Sequence, residues 1–417
     1  MTIARKSRRR TAAAGAAVLL GCILLAGAAA SGGGAIPPDL PAPPRVLHLA
    51  PVWSVDPDTL PSAWGGLLDA VIDARDRIYL LDWQLHTVHV LDGAGRPVRD
   101  LGRPGDGPGE LRAPGALVLL PDDGLGVISA MLARVTVLDR DTGAPRPGLR
   151  LAGSGSDVVQ LVQARCVTLP DGAPALVGVV GENLGRLWHL RYYLALYRLD
   201  RPLDLAPPDR ELATVGLLQG RDVEREEYYQ LWRPWDALPD GRVVYAPDWH
   251  RPRLVITDPA GHRPDVTVDF PYRPGRRTGR QRRRLLAVLW GGTDPAPYGI
   301  DLQTSDREPA VREVLVRPGG EIWVRTGRSG ETAGVPGGFR RYRVFGTDGS
   351  PRRDVVLAGD GDDATDRLLF FPGGDVLLWR GGEIPPHAPD AVPVRLTRCR
   401  LLPPPGHAGA ERVAASR

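Results

Sequence analysis

The sequence predicts an all-β chain: a six-bladed β-propeller of four-stranded blades, with the ring closed by an N-terminal strand pairing with the last blade. Three observations predict it. Tight turns flanked by apolar runs recur near residues 76, 123, 171, 240, 319 and 373, and the first three are spaced as one blade requires. The 51 glycines and 42 prolines suit many short strands joined by turns and are too many for a helical bundle. An isolated apolar stretch, RVLHLAPVWSV at 45–55, stands ahead of the first repeat, while the sixth repeat shows only three clear strands.

Taken in order, residues 1–30 read as a secretory leader. Arg5, Lys6, Arg8, Arg9 and Arg10 form a positive region, followed by an apolar run and small residues ending near Ala30. The apolar run could instead stay as an N-terminal membrane anchor, and Leu19-Leu20-Gly21-Cys22 has the shape of a lipidation site. Five of the 53 lysines and arginines lie in this leader, which holds no acid, so the rest of the chain has 48 basic against 49 acidic side chains. That near-neutral balance, in an exported chain, excludes nucleic acid as a partner. Residues 31–44 are a Gly/Pro-rich linker, 45–403 the propeller and 404–417 a disordered tail.

The repeats follow. Unit one is LLDAVIDARDRIYLLDWQLHTVHVLDGAGRPVRDLG, and unit two turns at Asp123-Gly124 and again at 139–143. Unit three contains QARCVTLPDGAPALVGVV and YYLALYRLDRPLDL; unit four is WDALPDGRVVYAPDWHRPRLVITDPAGHRPDVTVDF. Unit five pairs VREVLVRPGGEIWVRTG with FRRYRVFGTDGSPRRDVVL, and unit six pairs DRLLFFPGGDVLLWRGG with VPVRLTRCRL. Two longer intervals mark insertions, one at 216–232 and one from Phe270 to about Arg307. Four-stranded sheets cannot bury both faces alone, so they stack radially until the last meets the first.

The run GRPGDGPGELRAPGALVLLPDDGLGVISAMLARVTVLD resembles the NHL-type repeat: a Gly-rich link, an acid, a proline and a strand pair. The repeat's strand-end acid matches Asp82 in unit one and Asp248 in unit four, while unit two has Ser129. The whole of 45–403 resembles the bacterial exported six-bladed propellers. That resemblance implies the fold and an extracytoplasmic location, periplasmic or secreted, and little about chemistry.

Two equivalent groups are the candidate ligand-binding residues: Asp82, Trp83 and His86, and Asp248, Trp249 and His250 with Arg253. An acid, an indole and an imidazole at a channel mouth could hold a sugar or a cation. The plainer alternative is that each aspartate accepts backbone N–H groups at a strand end while each tryptophan packs between blades. The second insertion, RPGRRTGRQRRRLLAVLW, offers an anion patch at Arg276, Arg277, Arg280 and Arg283, against the alternative of a solvated face. The loop at 102–109 lacks the Gly-Lys-Ser/Thr of a phosphate cradle and reads as an inter-blade link.

No zinc spacing occurs, and a single asparagine, Asn183, argues against the calcium-dependent lactonase-like propellers, so no metal and no cofactor are expected. No G-x-S-x-G elbow is present and no catalytic residue stands out. Cys166 and Cys399 fall in units three and six and should be free and mostly buried. The function expected is monomeric, extracytoplasmic binding of a protein or cell-envelope ligand. The alternative is a channel-sited hydrolase or lyase acting on a carbohydrate or lactone.

Overall fold

The protein's computed structural model describes residues 43–56, 64–129, 134–153, 159–183, 190–218, 234–248, 250–279, 281–282, 305–332, 334–383 and 392–403. These lie in the unit Pro37–Arg417; the leader, Trp249, Arg280, Arg283 and the C-terminal tail lie outside the described residues. The fold is all-β and propeller-like.

After β1 (Arg45–Val55), the strands β2 (Leu67–Ile72), β3 (Ile78–Asp82), β4 (Thr87–Leu91) and β5 (Pro97–Leu101) form an antiparallel sheet in chain order. Two short parallel strands, β6 (Arg103–Pro104) and β7 (Glu110–Leu111), make the glycine-rich loop a link, braced by Glu110, whose carboxylate accepts the Gly107 N–H at 2.9 Å. The second sheet is β8 (Pro114–Leu119), β9 (Gly124–Ser129), β10 (Arg134–Asp139) and β11 (Pro145–Leu151). The third holds β12 (Val159–Thr168), β13 (Pro174–Asn183) and β14 (Leu190–Arg198). Next comes β15 (Asp204–Ala206), which leaves that sheet to pair in parallel with β11, and then β16 (Arg210–Leu218), which completes the third sheet beside β14.

The fourth sheet is β17 (Trp235–Ala237), β18 (Val243–Tyr245), β19 (Arg253–Thr257) and β20 (Val266–Asp269). The remaining strands are β21 (Glu313–Val316), β22 (Ile322–Arg325), β23 (Gly338–Phe345), β24 (Pro351–Ala358), β25 (Arg367–Phe370), β26 (Val376–Arg380) and β27 (Arg395–Leu402). They share one eight-stranded sheet with β1 at its middle.

Alternation explains how each sheet is buried on both sides. In the first sheet, Tyr79, Leu81, Val88 and Val90 face Leu117, Leu125 and Val127 of the second. The opposite face, Ile78, Leu80 and Leu91, meets Phe371, Leu377, Trp379 and Leu396 of the last strands. The same packing joins the second sheet to the third, the third to the fourth, and the fourth to β21–β23. A further cluster joins β22–β24 to β25–β27 through Trp323, Tyr342, Val355, Leu368 and Leu378, with Leu47 and Leu49 of β1 included.

The expected pairing of the N-terminal strand with the C-terminal one is present: His48 to Val55 run antiparallel to Leu402 to Leu396. β1 does something more. Its first residues, Arg45 to His48, pair in parallel with Val355 to Ala358 of β24, so one strand of 11 residues ties two edges together. The register shifts between Pro51 and Trp53, where proline has no N–H to give the ladder. Trp53 then lies over Gly95 and donates its indole N–H to the Gly93 carbonyl at 2.9 Å.

Two details of the repeat reading are corrected. Residues 216–218, read as the start of an insertion, complete β16. The RPLDL run does not extend the third strand of its unit: Leu203 is buried in the core between the second and third sheets, and its carbonyl accepts the Arg150 N–H at 2.9 Å, which draws β15 to the neighbouring edge. Both cysteines are free as expected, Cys399 buried and Cys166 only half-buried. Desolvation pushes each thiol up to about 11.

Candidate functional site

The first strand after each link, β2, β8, β12, β17, β21 and β25, contributes to the wall of one cavity of about 480 Å³. Five charged residues line it: Arg165, Asp236, Glu313, Arg317 and Arg367. Each is engaged by the protein. Asp236 accepts Arg165 Nε at 3.1 Å on one side and the Val316 N–H at 2.8 Å on the other, joining β12, β17 and β21. Arg367 binds Asp69 at 2.8 Å, and the other oxygen of Asp69 accepts the Leu117 N–H at 2.9 Å, joining β25, β2 and β8. Arg317 meets Glu321 at 3.4 Å and lies over the rings of Trp323 and Phe370. These carboxylates act as staples between neighbouring first strands.

A denser charged cluster sits where β21 begins and β22 ends. Arg325 and Arg340 are almost wholly buried, at 1% and 0% exposure. Arg325 faces Asp363 at 3.2 Å, Glu383 at 3.5 Å and Glu313 at 3.9 Å, and its Nε reaches Ser329 Oγ at 3.3 Å. Arg340 Nε donates to Asp363 at 2.8 Å, while its Nη2 caps the Asp363 and Asp366 carbonyls at 3.1 and 2.6 Å. Ser329 Oγ donates to both oxygens of Asp363, and the Tyr342 hydroxyl approaches Glu313 at 3.4 Å. Burial alone would raise the Asp363 carboxyl, but Arg325, Arg340 and Arg312 outweigh it and hold the group below the usual range. Asp363 comes from the link into β25 and Glu383 follows β26, so the cluster ties the β21–β24 and β25–β27 portions at one end.

The residues singled out from sequence fall elsewhere. Asp82 ends β3 fully buried and accepts the backbone N–H groups of Gly65 at 2.5 Å, Gly66 at 3.2 Å, Gln84 at 3.0 Å and Leu85 at 2.9 Å. Asp248 plays the same part more weakly, accepting the His250 N–H at 2.9 Å and pairing with Arg251 at 3.3 Å. Both follow the plainer alternative, the strand-end acid holding its own turn. Trp83 gives its backbone N–H to the Gly66 carbonyl at 3.0 Å, and His86, at φ 50°, lies 3.1 Å from the Leu111 carbonyl through Nδ1. Arg253 is tied to Asp269 through two bonds of 2.7 and 2.9 Å. The two groups lie beside separate sheets, the first and the fourth.

His89, not among those residues, is the buried imidazole. Its Nδ1 is 2.7 Å from Asp100 and its Nε2 3.4 Å from Asp82, with Trp64 stacked on the ring at 5.7 Å. Burial lowers its pKa, but the bonds to Asp82 and Asp100 overcome this and raise it above the usual imidazole value. In the second insertion, Arg276 is exposed and bridges Arg307 through the backbone, whereas half-buried Arg277 donates to the Ser305 carbonyl at 3.1 Å. The sequence signal for the buried cluster was arginine inside strands, in IWVR and GFRRYRVF, at positions where alternation points inward.

Among the described residues, no group of three or more His, Cys, Asp or Glu side chains is placed to hold a metal ion. No protein-family model matches the chain. No curated protein matches it at a significant level. Among solved structures, the chain is similar to a DUF4221-family protein from Bacteroides vulgatus at 9% identity, covering 86% of this chain and 99% of that one with a TM-score of 0.49. It is also similar to a putative exported protein from Bacteroides fragilis at 10% identity, covering 85% and 95% with a TM-score of 0.43. A streptogramin B lyase structure matches at 9% identity over 84% and 98% with a TM-score of 0.42. At these identities and scores the likeness carries no activity across to this chain.

Proposed function

We propose that this chain is an exported six-bladed β-propeller, clasped by β1, that serves as a binding module for an acidic ligand of the cell envelope. The leader at 1–30 would carry it across the membrane, and 31–44 would space the ring from that leader. The ligand would sit at the end of the central cavity where β21 begins, beside the arginines of the second insertion.

The observation that carries this reading is the division of charge. Every charged side chain lining the cavity is paired within the protein, Arg165 with Asp236, Arg367 with Asp69, Glu313 with Arg325 and Arg317 with Glu321. On the insertion, by contrast, Arg273, Arg276, Arg282 and Arg307 are exposed and carry no ion pair among the described residues. Exposed like charges of this kind attract an acidic partner in a salt-dependent way.

The test is titration of the purified full chain with acidic and neutral envelope polysaccharides, followed by calorimetry and thermal shift. Binding to the acidic members should weaken several-fold in the double variant Arg276→Ala/Arg307→Ala and with rising salt. Turnover of a polysaccharide, or equal binding of acidic and neutral members, would overturn the reading.

A further inference from the structure

Asp69, Arg165, Glu313 and Arg367 hold the same place on four of the first strands. Each stands four residues ahead of the residue whose N–H closes the following turn: Asp73 on Arg77, Leu169 on Ala173, Arg317 on Glu321 and Phe371 on Asp375. Asp69 reaches across to the Leu117 N–H of β8, Arg165 to Asp236 of β17 and Arg367 to Asp69 of β2. Glu313 makes no such bond: among the described residues, no hydrogen bond or ion pair joins β21 to β25. Its carboxylate turns back into its own sheet, and both contacts there fall on Oε2 and are long, the Tyr342 hydroxyl at 3.4 Å and Arg325 Nη1 at 3.9 Å. Oε1 accepts no hydrogen bond among the described residues, although the side chain is only 3% exposed. Buried carboxylate oxygens are ordinarily hydrogen-bonded.

Arg367, on the other side of that seam, is also the first residue of its strand. It donates Nη2 to Asp69 at 2.8 Å, while Nε and Nη1 make no hydrogen bond among the described residues. Glu313 and Arg367 both line the cavity of about 480 Å³, a volume typical of small-molecule sites. Leu315, Leu369 and Phe370 of the same two strands give it an apolar wall. The charged lining is Arg165, Arg317 and Arg367 against Asp236 and Glu313, a balance that favours an anion.

We infer that the seam between β21 and β25 takes a sugar acid, either free or as the end unit of an acidic polysaccharide. Its carboxylate meets the open donors of Arg367, its hydroxyls donate to Glu313 Oε1, and the C–H face of its ring lies on Phe370. Charge-assisted bonds of both kinds are the strong ones in a site withdrawn from water. The ligand thereby bridges the two strands that no side chain staples. This rests on the binding reading above and names the chemistry of its ligand.

The experiment is calorimetry and thermal shift on the full chain with D-glucuronate and D-galacturonate. The controls are D-glucose, which lacks the carboxylate, and glutarate, which lacks the hydroxyls. At least one uronate should bind saturably and about tenfold or more tighter than either control. Glu313→Gln and Arg367→Lys should each weaken that binding about tenfold. A second measurement needs no variant: the bound uronate should slow chemical modification of Cys166, which shares the cavity wall, and leave that of Cys399, packed among the last strands, unchanged. A uronate that displaces an acidic polysaccharide identifies the end unit as the ligand, and one that binds without displacing it identifies the free sugar acid. The inference is overturned if no uronate exceeds both controls, if Glu313→Gln binds as the wild type does, or if Cys166 is not protected relative to Cys399. Should any of these occur while Arg276→Ala/Arg307→Ala still loses polysaccharide binding, this inference falls and the binding reading stands.

Discussion

Replacing Asp69 by alanine removes one carboxylate and disturbs three strands at once. Asp69 is 7% exposed; one oxygen holds Arg367 of β25 at 2.8 Å and the other accepts the N–H of Leu117, which is fully buried in β8. Alanine leaves that N–H without an acceptor, a loss of about 1–3 kcal/mol. It also leaves Arg367 without its counter-charge. Removing one partner of a fully buried pair costs about 3–5 kcal/mol. The Arg367 side chain keeps 11% of its surface and lies over Trp379, so water and the ring recover part of that cost. Because the two losses share one side chain and are not additive, the net expected for Asp69→Ala is about 3–4 kcal/mol. Asp69→Asn keeps a carbonyl for Leu117 and loses the charge alone, for about half that effect. Urea unfolding followed by tryptophan fluorescence and circular dichroism measures both. A double variant with Arg367→Met should recover stability relative to Asp69→Ala, because it removes the orphaned cation. A cost below about 1 kcal/mol for Asp69→Ala, or no recovery in the double variant, would refute the staple argument.

The His89 site should make stability depend on pH. Its folded pKa is raised above the unfolded value, so its contribution is present in full below about pH 6.5 and is lost as pH rises through the folded pKa. The melting temperature of the wild type relative to His89→Gln should therefore fall as pH rises above about 6.5, and a flat difference would contradict the pairing. Asp82 works in the opposite direction: burial raises it, but the bonds from His89, Leu85, Gly65 and Gly66 hold it low, so its contribution is lost on acidification. Gly95→Ala should destabilise by about 2 kcal/mol or more in thermal melts, since φ is +79° and the added Cβ would meet the Trp53 ring at 2.8 Å. Both thiols should react with a disulfide reagent far more slowly in the native chain than in denaturant, because desolvation holds each near 11 and keeps the thiolate scarce at neutral pH.

What could be read from the sequence follows the range of the interactions involved. The strand and turn pattern was legible because alternation and Asp-Gly turns are encoded within a few residues, and Asp82 was recognisable because Gln84 and Leu85 supply two of its donors. β1 was legible as a partner for β27 because it is an apolar strand with no repeat of its own. Its parallel pairing with β24 was not, since edge-to-edge pairing leaves no local mark on either strand. Asp69 and Asp236 passed unnoticed for the same reason: their partners lie 48 and 298 residues away in one case, and 71 and 80 in the other.

The charged cluster was hidden more deeply. Arg325 lies opposite Glu313 in the strand register, and two such residues read in sequence as an exposed cross-strand pair. Only the arrival of Asp363 and Glu383 from beyond β24 encloses them. Once enclosed, every charge there must be answered by another, because removing either partner of a buried pair leaves an uncompensated ion. Asp363 answers Arg325 and Arg340 together, which accounts for its depressed pKa despite burial. Arg312 lies in the same field and shares Asp363 with Arg325 and Arg340, so the cluster carries its charges as one network, whereas Asp82 commits its oxygens to the N–H groups of its own turn.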